Sequence, residues 1–332
     1  MPRLSVIIVN FNSGGRLRRC LDHLEHQSFR DFETIIVDNG SADDSLNAAR
    51  DHFERVFIDE AGANLGFAAA NNRGAKRAAG EWLVFLNPDA YAAPDWLGRL
   101  IAAAERYPWA DAFGSTQLNA ASPDKIDGAG DVFHIAGIPY RGYFGWSSDA
   151  LPEEGECFAP CAAAAMYRKS VFESLGGFDE RFFCYGEDVD LGFRLRLKGG
   201  RAVQVKDACV LHEGSGVTGR HSPFTVYHGH RNRIWLACKN MPTLLLLLSA
   251  PFRFCADFAL LFKFLSLGLA GEYLRALRDG YFGAKGINAT RRLVQKERKL
   301  SVGDVARLLI WSPMKLLRRE GRLGPLNDAA RK

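Results

Sequence analysis

Apolar side chains in the first hundred residues come as short unbroken runs separated by polar turns. Leu4-Ser5-Val6-Ile7-Ile8-Val9, Phe32 to Val37 and Trp82 to Leu86 are such runs, rich in β-branched and aromatic members. They read as strands buried on both faces, as in a parallel sheet. Between them the period changes. Leu17, Cys20, Leu21 and Leu24 recur at helical spacing. So do Ala68, Asn71, Ala75 and Ala78 behind Asn64-Leu65-Gly66-Phe67. Val56 to Ile58 reads as a short strand and Trp96 to Tyr107 as an amphipathic helix. Alternating strand and helix predicts an α/β fold, a mostly parallel central sheet flanked by helices with right-handed crossovers.

The second half is less regular. Cys161 to Tyr167 reads as a small-residue strand, and Arg168 to Leu175 as a helix ended by Gly176-Gly177. Leu191, Phe193, Leu195 and Leu197 suggest a helix, Val203 to Val210 a strand, and Tyr227 to Asn240 a further helix. Residues 110–155, rich in Gly, Asp and aromatics, show no period. They read as loop, either over a site or irregular on the surface. Met241 to Ala270 is apolar, but its longest uncharged run, Met241 to Phe252, is about 12 residues, short of the roughly 20 a spanning helix needs. Phe254, Phe258, Leu261, Phe262 and Leu265 are spaced for one broad helical face, as in helices lying in a membrane interface. A buried helical packing region or a homodimer interface fits the same pattern.

Polar residues gather where the strands stop. The first strand runs into Asn10-Phe11-Asn12-Ser13-Gly14-Gly15, and the second into Asp38-Asn39-Gly40-Ser41-Ala42-Asp43. Ser41 or Asp43 can cap the next helix. Trp82 to Leu86 ends at Asn87-Pro88-Asp89, since proline removes a ladder donor. The carboxyl ends of strands are where open α/β sheets bind ligands. Asp89 there suits a hard cation, and equally an Asx turn capping the helix that follows. No Gly-x-Gly-x-x-Gly follows the first strand, no P-loop is present, and no Gly-x-Ser-x-Gly elbow appears. Dinucleotide binding, P-loop chemistry and α/β-hydrolase chemistry are thereby disfavoured.

Gly186 breaks the chain just before Glu187-Asp188-Val189-Asp190, behind the aromatic run Phe182-Phe183-Cys184-Tyr185. Acids at a helix start complement the macrodipole. Capping accounts for one of the three, and together they resemble a site. His212 sits at a strand end before Gly214; a lone histidine is usually structural, but this is the same kind of place as Asp89. Arg231 and Arg233 either bind phosphate or coat a surface.

Seven scattered cysteines, none in a Cys-x-x-Cys pair, read as reduced thiols of a cytosolic protein. The short apolar run at Leu4 to Val9 reads as a strand rather than a signal peptide. The net charge of +5 is uneven. Residues 1–240 carry 26 basic and 31 acidic side chains, and residues 271–332 carry 15 and 6. A basic tail behind an apolar segment points to an anionic membrane surface rather than a nucleic acid.

Taken in order, the motifs resemble glycosyltransferase family 2, with the GT-A fold, in its rhamnosyltransferase-like branch. They are Val6-Ile7-Ile8-Val9-Asn10-Phe11-Asn12, Ile36-Val37-Asp38-Asn39-Gly40-Ser41-Ala42-Asp43, Asn64-Leu65-Gly66-Phe67 with Asn71-Asn72, and Phe85-Leu86-Asn87-Pro88-Asp89. Further along come Gly176-Gly177-Phe178-Asp179-Glu180, Gly186-Glu187-Asp188-Val189-Asp190, His212, and Arg231-Asn232-Arg233 with Lys239-Asn240. Many members carry Asp-x-Asp where this chain has Asn87 and Asp89.

The resemblance implies a catalytic domain over 1–240 and a helical, apolar-then-basic, membrane-associating region over 241–332. It implies a nucleotide-diphosphate sugar donor, held by Asn10, Asn12, Asp38, Asn64, Gly66, Asn71, Asn87, Arg231 and Arg233. It implies Mg²⁺ or Mn²⁺ on Asp89 and His212, Asp188 as general base with Glu187 orienting, and inversion at the anomeric carbon. The implied acceptor is a glycan or lipid-linked sugar, at the inner face of the plasma membrane, and dTDP-rhamnose is the implied donor. The competing expectations are a non-catalytic nucleotide-sugar or glycan binding module and a membrane-associated structural partner.

Overall fold

The computed structural model describes residues 1–50, 56–214, 221–283 and 285–327, so the last five residues of the basic tail lie outside it. The first half alternates as expected: β1 (Leu4–Asn10), α1 (Gly15–Glu25), β2 (Phe32–Asp38), α2 (Ser45–Arg50), β3 (Val56–Glu60), α3 (Phe67–Arg77) and β4 (Trp82–Leu86). β1 lies between β2 and β4, parallel to both, and β3 extends the sheet beyond β2. Leu4, Val6 and Ile8 pack with Leu17 and Leu21 of α1. Ile7 and Val9, from the opposite face, pack with Ala68 and Ala75 of α3. Helices cover both faces, so the strand is an unbroken apolar run rather than an alternating one.

The chain continues through β5 (Ala90–Ala92), α4 (Trp96–Arg106), β6 (Ala112–Asn119), β7 (Ser122–Gly128), β8 (Asp131–His134), β9 (Ile138–Arg141), β10 (Gly155–Cys157), β11 (Ala164–Arg168), α5 (Lys169–Ser174), α6 (Glu187–Leu197) and β12 (Ala202–His212). The main path across the sheet is β10-β12-β6-β11-β4-β1-β2-β3, with β5 on β12 and β7 on β6. β11 runs antiparallel to β4 and β6, and β12 runs parallel to β6.

The expectation of loop over 110–155 is corrected, since β6 to β9 lie there. β6 is an interior strand whose inward side chains include polar ones. Ser115 accepts the Trp96 indole N–H at 2.8 Å, and Thr116 donates to the Lys206 carbonyl at 2.8 Å. Such groups are tolerated in a core once hydrogen-bonded, but they erase the apolar signature. β8 and β9 form a separate hairpin, Asp131 opposite Arg141.

The remaining helices are α7 (Pro223–Asn240), α8 (Thr243–Leu248), α9 (Ala250–Ser266), α10 (Ala270–Phe282), α11 (Lys285–Glu297), α12 (Val302–Leu308) and α13 (Pro313–Leu317). None among the described residues is long and apolar enough to cross a membrane. One apolar cluster joins Phe182, Val189 and Phe193 to Leu236, Met241, Val294, Val305 and Leu309, so the region after 240 shares a core with the region before it. Arg233 is a buried pin in this junction. It pairs with Asp257 of α9 and donates to the Tyr273 hydroxyl of α10 at 3.1 Å. The chain then returns to the sheet, where Glu156 and Gly324 exchange backbone hydrogen bonds. On α9, Phe254 is 72% exposed and Phe258 57%, with Phe262 and Leu265 also exposed. Leu261 turns inward instead, toward the cluster of Phe264 and Tyr273.

Helices α6 and α7 are tied by a buried ionic knot. Lys239 Nζ lies 2.7 Å from Asp179 and 2.8 Å from Asp190. Asp190 also accepts from Arg194 and Asn240, each at 2.8 Å. Asp190 is fully buried, so it and Lys239-Asn240 belong to this knot and not to an open site. Removing one partner of such a set leaves an unpaired buried charge. Lys239→Met is expected to lower stability by about 3–5 kcal/mol, read as a shift of the urea unfolding midpoint at unchanged slope.

Candidate active site

Parallel register brings the strand ends to one edge, with Asn10 opposite Asp38. The Asn10 carboxamide donates to Asp38 at 2.9 Å and to Ser45 at 2.9 Å. Asp38 accepts from the Ser41 backbone at 3.2 Å. Asn12, in the left-handed region at φ 49°, accepts from Ala42 N–H at 2.8 Å. Asn39 donates to Asn64 at 2.9 Å and accepts from Leu65 N–H at 2.8 Å, tying the second strand end to the start of α3. Gly66 has φ 84°, and a Cβ there would come within 2.5 Å of the Phe183 ring. This close approach joins the Asn64 loop to the aromatic run before Glu187.

Asn10, Asn12, Asp38, Asn64 and Gly66 therefore converge on one rim. Asn71 does not show a group to it. Its amide donates to the Phe67 carbonyl within its own helix at 2.9 Å and is buried. Asn72 clamps the glycine turn, bonding both the N–H and the carbonyl of Phe178 at 2.9 Å.

Asp89 and His212 meet across the β5–β12 ladder. His212 Nε2 is 3.4 Å from Asp89 Oδ1, and Nδ1 is 2.7 Å from Asp127 Oδ2. All three side chains are buried. Burial pushes His212 down, but the hydrogen bonds to Asp127 and Asp89 outweigh it and leave the imidazole above its usual range. Burial likewise pushes Asp89 up, and His212 more than offsets it, holding the carboxyl below its usual range. Asn87 Oδ1 is buried without a hydrogen-bond partner, and His212 Nε2 has only the long contact to Asp89. A carboxylate, an imidazole nitrogen and an orphaned amide oxygen are mixed oxygen and nitrogen donors for a divalent cation, closer to the preference of Mn²⁺ than of the harder Mg²⁺. The residues present thus fit Mn²⁺ or Mg²⁺.

Glu187 and Asp188 part company at the start of α6. Gly186 supplies the left-handed turn at φ 84°. Glu187 points inward, is 5% exposed, and has Oε2 unpartnered. Burial, reinforced by the charge of Asp188, pushes its carboxyl well above the usual range. Asp188 is half-buried and accepts from Ala162 N–H at 3.1 Å and Val189 N–H at 2.8 Å. Oxygens of Asp188 and Asp131 and the Cys161 sulfur lie within 4.8 Å of one another. Burial, then the Asp188 charge, pushes Asp131 well up.

Arg231 serves the loop behind these acids. It donates to the Phe182 carbonyl at 3.1 Å and stacks on Trp235 at 4.2 Å. Asn232 donates to the carbonyls of Phe182, Cys184 and Tyr185 at 2.7–2.8 Å. The described contacts of Arg231 and Arg233 thus hold loops and helices, and neither arginine is brought to the Asp89–His212 pair.

Three residues of this centre escaped the sequence reading: Asp127, Asp131 and Arg141. All come from the irregular 110–155 stretch. Asp127 and Asp131 flank Gly128-Ala129-Gly130, which is a visible pattern without a visible address. Arg141 ion-pairs with Asp127, and the charges of Asp131 and Asp188 also act on it. It lies between the histidine side and the Asp188 side of the centre.

A family model for glycosyl transferase family 2 matches residues 5–176. The chain is 34% identical over 242 residues to N-acetylglucosaminyl-diphospho-decaprenol L-rhamnosyltransferase of Mycobacterium tuberculosis, covering 65% of this chain and 78% of that protein. It is 32% identical over 231 residues to the O-antigen biosynthesis protein RfbC of Myxococcus xanthus, covering 64% of this chain and 17% of that protein. Among solved structures it resembles S. aureus TarS in complex with UDP-GlcNAc, at TM-score 0.58 and 18% identity over 90% of this chain and 87% of that one. It also resembles mannosyltransferase PcManGT from Pyrobaculum calidifontis in complex with GDP-Man and Mn2+, at TM-score 0.57 and 17% identity over 86% and 88%. The central sheet with its flanking helices is the GT-A fold. With polar strand ends on one rim and acids across from them, the chain belongs to glycosyl transferase family 2, and within it is rhamnosyltransferase-like.

Proposed function

We propose that this glycosyltransferase is inverting and uses a divalent cation. It moves a sugar from a nucleotide-diphosphate donor to a glycan or lipid-linked acceptor in cell-surface polysaccharide synthesis. The observation that carries the reading is the presence of two centres: the Asp89–His212 pair with the orphaned Asn87 oxygen, and Asp188 at the start of α6. Rhamnose is the proposed sugar, supported by the name of the mycobacterial relative, with dTDP-rhamnose as the proposed donor. The same name supports a diphosphate-linked lipid acceptor.

In this reading Asn10, Asn12, Asp38 and Asn64 line the nucleotide end. Asp89 and His212, with Asn87 beside them, hold the cation. When bound, the ion neutralises charge on the departing nucleoside diphosphate. Asp188 takes the proton of the attacking acceptor hydroxyl. Glu187 is less suited to that step, since it points inward and burial pushes its carboxyl well above the usual range. Asp127 keeps the His212 ring turned so that Nε2 faces Asp89, the role that carboxylate partners play behind metal-binding histidines.

Peripheral association with an anionic bilayer on the cytoplasmic side is part of the proposal. It is supported by the exposed Phe254, Phe258 and Phe262 on α9 and by the basic tail.

Asp188→Asn keeps the size and loses the base. It is expected to bind the nucleoside diphosphate like the parent and to transfer about 10²–10⁴ times more slowly. Glu187→Gln is expected to lose less. Single-turnover transfer with a sugar-nucleotide panel reads both, and a dead Glu187→Gln beside a normal Asp188→Asn reverses the assignment.

Cation binding at His212 requires the neutral imidazole, so Mn²⁺ affinity measured by EPR with nucleoside diphosphate present should rise with pH. Stability of the metal-free protein should run the other way. The contribution of a raised histidine is complete below about pH 6.5 and is lost as pH rises through the folded value. Asp127→Asn should cost roughly 10–100-fold in Mn²⁺ affinity.

The full chain should co-sediment with phosphatidylglycerol vesicles at low salt and less at high salt. Phe254→Ser with Phe258→Ser should reduce this at every salt concentration, and equal sedimentation of the double variant would remove α9 from the contact.

A further inference from the structure

Between Phe182 and Glu187 the backbone takes a shape that residues with side chains avoid. Phe183 lies at φ 65° and ψ −65°, and Cys184 N–H donates back to the Phe182 carbonyl at 2.7 Å. That is the rare, strained form of the γ-turn. Tyr185 follows at φ 72° and Gly186 at φ 84°, and only the glycine takes such an angle without a steric cost. A loop like this persists only where its surroundings over-determine it. We infer that Asn232 of α7 does so, as a positioning residue that aims Asp188 by holding the loop ahead of α6. This rests on the reading of Asp188 as the general base.

Hydrogen bonding is the first argument. The Asn232 NH₂ lies 2.8 Å from the carbonyl oxygens of Phe182 and Cys184 and 2.7 Å from that of Tyr185. An amide has two N–H donors, and here three carbonyls share them. Carbonyl dipoles turned toward one point repel one another unless a donor stands between them. Asn232 is 1% exposed, so the amide and not bulk water satisfies them. The end of the amide that faces the loop is fixed too. Arg231 Nε donates to Asn232 Oδ1 at 2.9 Å, and the Arg231 guanidinium stacks on Trp235.

The second argument is the path from this loop to the base. The Tyr185 carbonyl belongs to the peptide that enters Gly186, the residue before α6. Asp190 N–H donates to the Gly186 carbonyl at 2.9 Å and closes the first turn, which contains Asp188. A Cβ on Gly186 would lie 3.9 Å from the Asn232 Cβ and 3.7 Å from Leu236, so α7 backs the turn directly. On the other side, Ala68 N–H donates to the Phe183 carbonyl at 3.2 Å, and the Phe183 ring packs on Gly66. The loop is thus keyed between the donor rim and α7.

The third is that α7 is itself held fast. Arg233, the next residue, pairs with Asp257 of α9, and Lys239 pairs with Asp179 and Asp190. A side chain positions another group well only when its own place is locked by packing and hydrogen bonds. Asn232 is buried behind the loop, so its effect on the reaction passes through Asp188.

The test uses the full chain and single-turnover transfer from dTDP-rhamnose to a lipid-diphosphate-linked sugar. Asn232→Ala should transfer roughly 10–100-fold more slowly, the loss expected of a base displaced by about an ångström. Its affinity for dTDP with Mn²⁺ should stay within about twofold of the parent, since the described bonds of Asp38, Asp89 and His212 do not involve Asn232. The deciding measurement is the same substitution beside Asp188→Asn. There it should cost less than about twofold more, because aim has no value once the base is gone, whereas a general loss of structure slows both backgrounds alike. Amide exchange gives a readout without turnover. In Asn232→Ala the N–H groups of Cys184 and Asp190 should lose protection while those of β1 keep it. Asn232→Ser keeps one donor of shorter reach and should fall between. If circular dichroism shows Asn232→Ala unfolded, Asn232→Ser is judged by the same criteria. A folded variant that transfers at the parent's rate, an equal further loss beside Asp188→Asn, or unchanged exchange at Cys184 and Asp190 overturns the positioning role. Normal transfer by Asp188→Asn overturns the base reading instead, and a parent that transfers nothing overturns the transferase reading. In both cases amide exchange still decides whether Asn232 holds the loop.

Discussion

The centre depends on β1 lying in parallel register between β2 and β4. That pairing places Asn10 beside Asp38 and brings the end of β4, with Asn87 and Asp89, to the same edge. A parallel pair cannot be closed by a tight turn, so each strand end is followed by a crossover helix. The polar turns between strand and helix are therefore stacked along one rim. A slip by one residue would exchange the faces of β1 and drive Leu4, Val6 and Ile8 out of their contact with α1. The core and the site are held by the same hydrogen-bond ladder.

Burial then sorts the carboxylates by their partners. Asp190 is fully buried, and Arg194 and Lys239 offset the cost of burying its charge, so it is a structural anion. Glu187, buried and without a cation, has its carboxyl pushed well above the usual range by the same cost. Asp188 lies one position from Glu187, and its half-exposed carboxylate accepts two backbone N–H groups. Neighbours on a helix point about 100° apart, so three acids in four positions face three environments. Asp127 and Asp89 form the fourth case, two carboxylates around one buried imidazole.

The region after Asn240 is bound to the catalytic region by three kinds of contact. An apolar cluster runs from Phe182 to Leu309, Arg233 is pinned to Asp257, and the last described residues run back along the sheet edge at Glu156. Its apolar content is divided accordingly. Phe264, Tyr273 and Leu261 face inward, and Phe254, Phe258 and Phe262 face out. The basic tail is divided too, since Arg291 donates to the Met241 carbonyl at 2.7 Å while Arg319 lines a cleft with Asp127 and Arg141.

Local periodicity was enough to determine β1 to β4, α1, α3 and α4, and the strand ends at Asn10, Asp38 and Asp89. Their apolar runs are continuous, and each stop is a polar or proline-containing turn that depends only on its neighbours. The pairing of Asp89 with His212 was legible as two strand ends of the same kind, though not as a contact. Other features were decided only by tertiary structure. β6 carries Ser115, Thr116 and Gln117 inward because Trp96 and Lys206 lie across from Ser115 and Thr116, and no window of sequence contains those partners. The positions of Asp131 and Arg141 follow from the β8–β9 hairpin and that of Asp127 from the pairing of β7 with β6, so the three remained anonymous in a stretch without period. Arg233, Lys239 and Asp190 looked like site residues because charge in a motif is visible in sequence, whereas burial beside an opposite charge is not. That last distinction is made by residues distant in the chain, and only the folded protein brings them together.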